Sequence, residues 1–97
     1  MKLRISSDAE RDLAEAFRFY EEQEPGLGDR FRSSVSGDIE RLRDLGGVHA
    51  EVFGHHRSLC RTFPYSIYDD VEAGETVVVL AVLDQRRDPA WIRRRLG

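Results

Sequence analysis

The run Thr76-Val77-Val78-Val79-Leu80-Ala81-Val82-Leu83, continuing into Asp84-Gln85-Arg86-Arg87-Asp88-Pro89, decides how this chain folds. Eight residues without a charge, five of them β-branched, read as a strand with apolar neighbours on both faces, and so as a central one. Asp88 followed by Pro89 is an N-cap with proline at the first helical position, which starts a short terminal helix over 89–96. The strand thus delivers Arg86 and Arg87 to its end. Residues 86–95 hold five Arg against one Asp, in a chain whose formal net charge is -3. Arginine forks onto phosphates and carboxylates, so this end of the sheet calls for an anionic or protein partner.

Working back from that strand, Glu72-Ala73-Gly74-Glu75 reads as a hairpin turn. From Arg57 the pattern has period two: Leu59, Arg61 and Phe63 alternate with Ser58, Cys60 and Thr62. Tyr65, Ile67 and Asp69 then alternate with Ser66, Tyr68 and Asp70. Pro64 cannot donate to a ladder, which puts a turn or an edge near 62–64. Residues 46–56 show no sustained period and read as loop.

The first half is helical. Lys2 to Ser6 alternates as a short strand. Ser7 or Asp8 then offers an N-cap, with Glu10 in the capping-box position after Ser7. Ala9, Leu13, Ala16, Phe17 and Tyr20 form one stripe of a helix over about 8–22. Pro25-Gly26 interrupts the pattern. Leu27, Phe31, Val35, Ile39, Leu42 and Leu45 form a second stripe, predicting a helix over about 26–45 that Gly46-Gly47 stops. Two amphipathic helices on a short connection make an antiparallel hairpin. The order β-α-α-β-β-β-α is an α+β layout, the helix hairpin packed on one face of a mainly antiparallel sheet, in a single domain spanning 1–97.

Ninety-seven residues support one core with little surplus. No stretch approaches the length of apolar sequence that spans a bilayer, and the N-terminus has no signal-peptide core. Cys60 is the only cysteine and has no internal disulfide partner, which favours a reducing compartment. The expectation is a cytoplasmic protein with no membrane association. Residues 1–50 carry eight Lys and Arg against eleven Asp and Glu, whereas 51–97 carry seven of each, so the basic cluster is local. His55-His56 has no carboxylate or cysteine at ligand spacing, and the reading is no metal and no cofactor. Cys60 reads as a small buried hydrophobe. Trp91, with Ile92 and Leu96, either docks the terminal helix or offers a hot spot to a partner.

Four segments, Ala9-Glu10-Arg11-Asp12-Leu13, Asp29-Arg30-Phe31, Phe63-Pro64-Tyr65-Ser66-Ile67-Tyr68 and Val82-Leu83-Asp84-Gln85-Arg86-Arg87-Asp88-Pro89, in this order resemble the RelE/ParE toxin superfamily, on its ParE-like side. The resemblance covers nearly the whole chain. It implies the toxin of a type II toxin–antitoxin, or plasmid-stabilisation, module that forms a hetero-oligomer with a cognate antitoxin. It also implies one of two modes of action. ParE-like members poison DNA gyrase by binding, and RelE-like members cut mRNA in the ribosome. A third possibility keeps the fold as a non-toxic interaction domain.

RNA cleavage through the 2′-OH needs a base, an acid and positive charge at the phosphorane. The residues that would carry it here are His56, Arg61, Tyr65, Tyr68 and Arg86. Arginine does not serve as a base. Asp84 stands where the commoner family ending has His, and a carboxylate there repels phosphate. Binding of target or antitoxin would fall to Arg57, Arg61, Arg86, Arg87, Trp91 and Arg94. An extended acidic antitoxin tail is expected to add to an open sheet edge or face and to mask Arg57, Arg61, Arg86 and Arg87. One of Arg86 and Arg87 is expected to pair with Asp84 or Asp88.

Overall fold

In the computed structural model, which describes residues 1–97, the chain runs β1 (Lys2–Ile5), α1 (Ser7–Gln23), α2 (Leu27–Glu40) and α3 (Leu42–Leu45). It continues through β2 (Glu51–Val52), β3 (His55–Leu59), β4 (Tyr65–Glu72), β5 (Thr76–Asp84) and α4 (Pro89–Leu96). The sheet order is β1-β5-β4-β3-β2. β1 is parallel to β5 and every other pair is antiparallel. The α+β layout therefore holds; β5 lies inside the sheet between β1 and β4, but β4, not β5, is the middle strand.

Four boundaries differ from the expectation. The cap of α1 is Ser6, whose Oγ accepts the Ala9 N–H at 3.0 Å, so Ser7 and Asp8 already lie in the first turn. The second helix breaks at Arg41 into α2 and the single turn α3. Part of the expected loop is a hairpin, β2 to β3, because Glu51 pairs with His56 and Val52 with His55. The strand expected from Arg57 to Phe63 begins at His55 and ends at Leu59. Beyond it the chain leaves the ladder, and the Arg61 N–H goes to the Asp38 carboxylate on α2 instead of to a strand.

One side of the sheet is covered by α1 and α2. Ala9, Ala16, Tyr20, Phe31, Val35 and Ile39 pack there against Ile67, Val77, Val79 and Val82. The helix pair is locked at its turn by Glu21, whose carboxylate accepts the N–H groups of Gly26 and Gly28 at 2.9 and 3.0 Å. The other side carries α4, with Ile92, Trp91 and Leu96 on Tyr68, Ala81 and Leu83. A bulge makes this division possible. Tyr68 pairs with Ala81 but Asp69 pairs with Val79, so Leu80 is the extra residue. Past it the parity of β5 reverses. Val77, Val79 and Val82 face the helix pair, while Ala81 and Leu83 face α4.

β1 accompanies β5 only as far as Val79. Beyond that point residues of α1 and its cap replace the missing strand. Ser6 Oγ donates to the Leu80 carbonyl at 3.3 Å, and the Val82 N–H donates to Asp12 Oδ2 at 3.0 Å. The last residues of β5 have neither strand nor helix pairing on this edge, and there the surface opens into a groove.

Candidate interaction surface

The groove lies between α1, the end of β5 and the start of α4, with a volume of about 220 Å³. Asp12, Glu15 and Phe19 form one wall, and Asp84, Arg87 and Trp91 the other. Phe19, on the side of α1 away from the predicted stripe, is half exposed at 50%. Asp12 lies outside the apolar stripe of α1. It takes two donors at once, the Val82 N–H and Arg95 Nη2 at 2.6 Å, and ties α4 to α1. Burial raises its pKa above the usual carboxylate value in spite of the Arg95 hydrogen bond. No sequence signal marks an 83-residue contact of this kind.

The arginines at the strand end have different fates. β5 stops at Asp84, so Arg86 and Arg87 lie in the turn before α4 and the alternation of a strand does not govern them. Arg86 forks onto Asp84, with Nε to Oδ1 at 3.0 Å and Nη2 to Oδ2 at 2.7 Å, and its N–H also reaches Oδ1. The Arg86 hydrogen bond holds the Asp84 carboxyl below its ordinary range. Asp84 and Arg86 are thus a mutually neutralised pair. Asp88 instead caps α4 by accepting the Ala90 N–H. Arg87 stacks over the Trp91 ring at 4.0 Å. Trp91 itself is half buried, docking α4 and lining the groove together.

Arg61 is anchored elsewhere. Its Nε donates to Asp38 Oδ1 at 3.0 Å, and Arg41 shares that carboxylate. Asp38 is buried, which alone would raise its pKa, but the hydrogen bonds from Arg41 and Arg61 outweigh burial and lower it. Cys60 lies beside Asp38. Burial pushes its thiol up to about 12, so the sulfur stays protonated and packs as a hydrophobe. Arg57 and Arg94 are exposed, on β3 and α4.

The five residues required of a nuclease do not meet. Tyr65 is buried under the helix pair in an aromatic cluster with Tyr20, Phe31 and Phe63, and burial raises its pKa. Tyr68 is 2% exposed on the opposite face, beneath α4. His56 pairs with Asp69 near the other end of β4, and its Nδ1 bonds the His49 carbonyl at 2.7 Å. His55, expected in solvated loop, is in β3 with Nδ1 2.9 Å from Asp70 Oδ1. Only Arg86 stands near Tyr65, whose register partner is Asp84.

Asp69 gives a measurable signature of this region. It is fully buried, its Oδ2 accepts the Gly47 N–H at 3.3 Å, and its Oδ1 has no partner. Burial raises its pKa against the opposing pull of Gly47, His56 and His49. A carboxyl with a raised folded pKa binds more protons folded than unfolded between the two values. It therefore lowers stability as pH climbs through that window. Asp69→Asn is expected to stabilise the fold by about 1 kcal/mol at neutral pH, and the gain should vanish below about pH 4. Thermal melts of both chains across pH measure this; a lower melting temperature for the variant at neutral pH would refute it.

Residues 3–89 match the family described as the ParE toxin of the type II toxin–antitoxin system parDE. The fold is similar to a solved structure of the chromosomal ParDE toxin–antitoxin system from P. aeruginosa. The TM-score is 0.75 with 18% sequence identity, over 84% of this chain and 92% of that one. At that identity the likeness concerns fold alone. No curated protein matches the chain in sequence.

Proposed function

Because this chain belongs to the ParE toxin family of type II toxin–antitoxin systems, we propose that it is a toxin that acts by binding a cellular target such as DNA gyrase and is neutralised by a cognate antitoxin. The observation that carries the binding mode is the dispersal of the proton-transfer candidates. Tyr65 and Tyr68 are buried on opposite faces of the sheet, and His56 is tied to the 46–50 segment. No base and acid converge on a common exposed arginine, as general acid–base cleavage requires. The RelE-like nuclease reading is correspondingly weaker.

The antitoxin site fits the groove at the unpaired end of β5. An extended segment laid there gains main-chain hydrogen bonds along the edge and a half-exposed aromatic wall from Phe19 and Trp91. Of the four arginines expected under such a tail, Arg61 and Arg86 already have carboxylates within the chain. Arg87 borders the groove and is the cation left to meet an acidic residue of the tail. Arg57 stands two strands away on β3. No helix here is long and apolar enough to cross a membrane, and the site of action is proposed to be the cytoplasm.

Inducing the chain in bacteria, with and without the reading frame beside it, tests this. Growth arrest with intact mRNA, altered supercoiling and rescue by the neighbouring frame is the expected result. Codon-phased mRNA cleavage would replace the binding reading with the nuclease one, and normal growth would leave an interaction domain.

A further inference from the structure

Eight of the fifteen Lys and Arg side chains are in ion pairs with carboxylates, leaving seven without one. Three of those seven, Arg87, Arg93 and Arg94, lie on or just before α4, and a fourth, Arg57, lies on the sheet face that α4 covers. Most carboxylates of the neighbourhood are engaged or face away. Asp84 holds Arg86, Asp12 holds Arg95, Asp70 bonds the His55 ring, and Asp88 caps the helix. Glu51 has no ion-pair partner, but it is paired in register with His56 and so faces away from Arg57.

From this arrangement we infer that the outer face of α4 and the adjoining part of β3 bind the phosphate backbone of a nucleic-acid duplex, through Arg57, Arg93 and Arg94. α4 turns its apolar residues down: Ile92 is buried, and Trp91 and Leu96 pack on Tyr68, Ala81 and Leu83. What it presents outward is Arg93 and Arg94, both exposed. Arg57 lies on the same face of the sheet, because its register partner Tyr68 is a residue on which α4 rests. A protein partner wants apolar anchors and pockets. None of the three main cavities is lined by Arg57, Arg93 or Arg94. A polyanion wants cations in excess of carboxylates, and here Arg57, Arg93 and Arg94 outnumber Asp70.

The guanidinium of Arg93 is also placed by its surroundings. It lies over the Phe53 ring, 5.3 Å from the centroid. Phe53 occupies the first of two positive-φ positions in the β2–β3 turn, φ 55°, with Gly54 at 83°. Asn or Gly is the ordinary residue there, and a bulky side chain in that conformation is strained. The ring nevertheless stands 37% exposed, beneath an arginine. Stacking by its plane leaves a guanidinium's N–H edge free to fork onto a phosphate, with part of its ordering entropy already lost.

The test is fluorescence anisotropy of the full chain with short labelled DNA and RNA duplexes at about 50 mM and about 200 mM salt. Three chains are compared: the native one, R57A/R93A/R94A, and K2A/R18A/R30A. The last removes the same charge from the unpaired cations elsewhere. Thermal melts establish that all three are folded. The native chain is expected to bind duplex at low salt and to weaken steeply as salt rises. R57A/R93A/R94A should bind at least about tenfold more weakly, with the log–log salt slope reduced by about 0.9 for each phosphate no longer neutralised. K2A/R18A/R30A should stay within about twofold of native, as distant charges act weakly at this ionic strength. DNA and RNA duplexes bound alike would support a general backbone contact, and DNA alone a narrower one. Three results would overturn the inference: no duplex binding at low salt, equal loss in both triple variants, or tighter binding of a polyglutamate peptide than of either duplex. It does not depend on the toxin reading. Growth arrest without duplex binding removes this inference alone, and duplex binding without growth arrest removes the toxin reading alone.

Discussion

Phe31→Ala is expected to cost about 3–5 kcal/mol, a large share of the about 5–15 kcal/mol that holds a domain folded. Phe31 is fully buried and joins every part of the helix-covered core. Its ring stacks on Tyr20 of α1 at 5.3 Å and meets Phe63 and Tyr65 edge-on at 5.2 and 5.1 Å. One truncation therefore loosens α1, α2, the 60–64 connection and the start of β4 together. Aromatic neighbours are stiff and collapse poorly into a void, which places the cost toward the upper end of the range. The groove has Phe19 and Tyr65 in its walls, so partner binding should fall along with stability. Urea melts of native and variant chains give the number, and a loss below about 1.5 kcal/mol would mean that the cluster is not the hub of the core.

Gly46→Ala is expected to cost about 3 kcal/mol by overpacking, although a single methyl group is added. Gly46 has an ordinary backbone, φ -58° and ψ 135°, so conformation is not at issue. Space is. A Cβ there would lie 2.3 Å from Val77 Cγ2 and 2.9 Å from the Leu42 carbonyl oxygen. Val77 is fully buried in β5 and has no room to retreat. Gly54→Ala is the useful contrast: its Cβ would meet nothing within 4 Å, and only its positive φ of 83° resists substitution. If the two melts coincide, the close approach of α3 to β5 is not what Gly46 provides.

The arginine-rich end shows how far residue types carry the reading. Arg86 and Arg87 are adjacent and chemically identical in sequence. Their roles separate only when β5 ends at Asp84 and the turn swings one guanidinium onto the Asp84 carboxylate and the other onto the Trp91 ring. Arg93, Arg94 and Arg95 divide in the same way, toward Phe53, solvent and Asp12. Expectation and structure agree on Cys60 as a buried hydrophobe, and that agreement is local. A small apolar-like side chain between Leu59 and Arg61 has few other places to go. The 46–56 segment escaped because a two-residue strand is too short to show a period, and its partner is found only by pairing.

What the sequence determined by itself was whatever depends on near neighbours. Periods of 3.6 and 2 placed the long helices and β4, the apolar run placed β5 inside the sheet, and Asp88-Pro89 started α4. Tertiary structure alone decided which side chains share a surface. The extra residue at Leu80 reverses the faces of β5, Asp12 reaches Arg95 across 83 positions, and carboxylates from four elements choose which arginines remain free. Those outcomes rest on strand register and on packing between distant segments. A period read along the chain carries no information about either one.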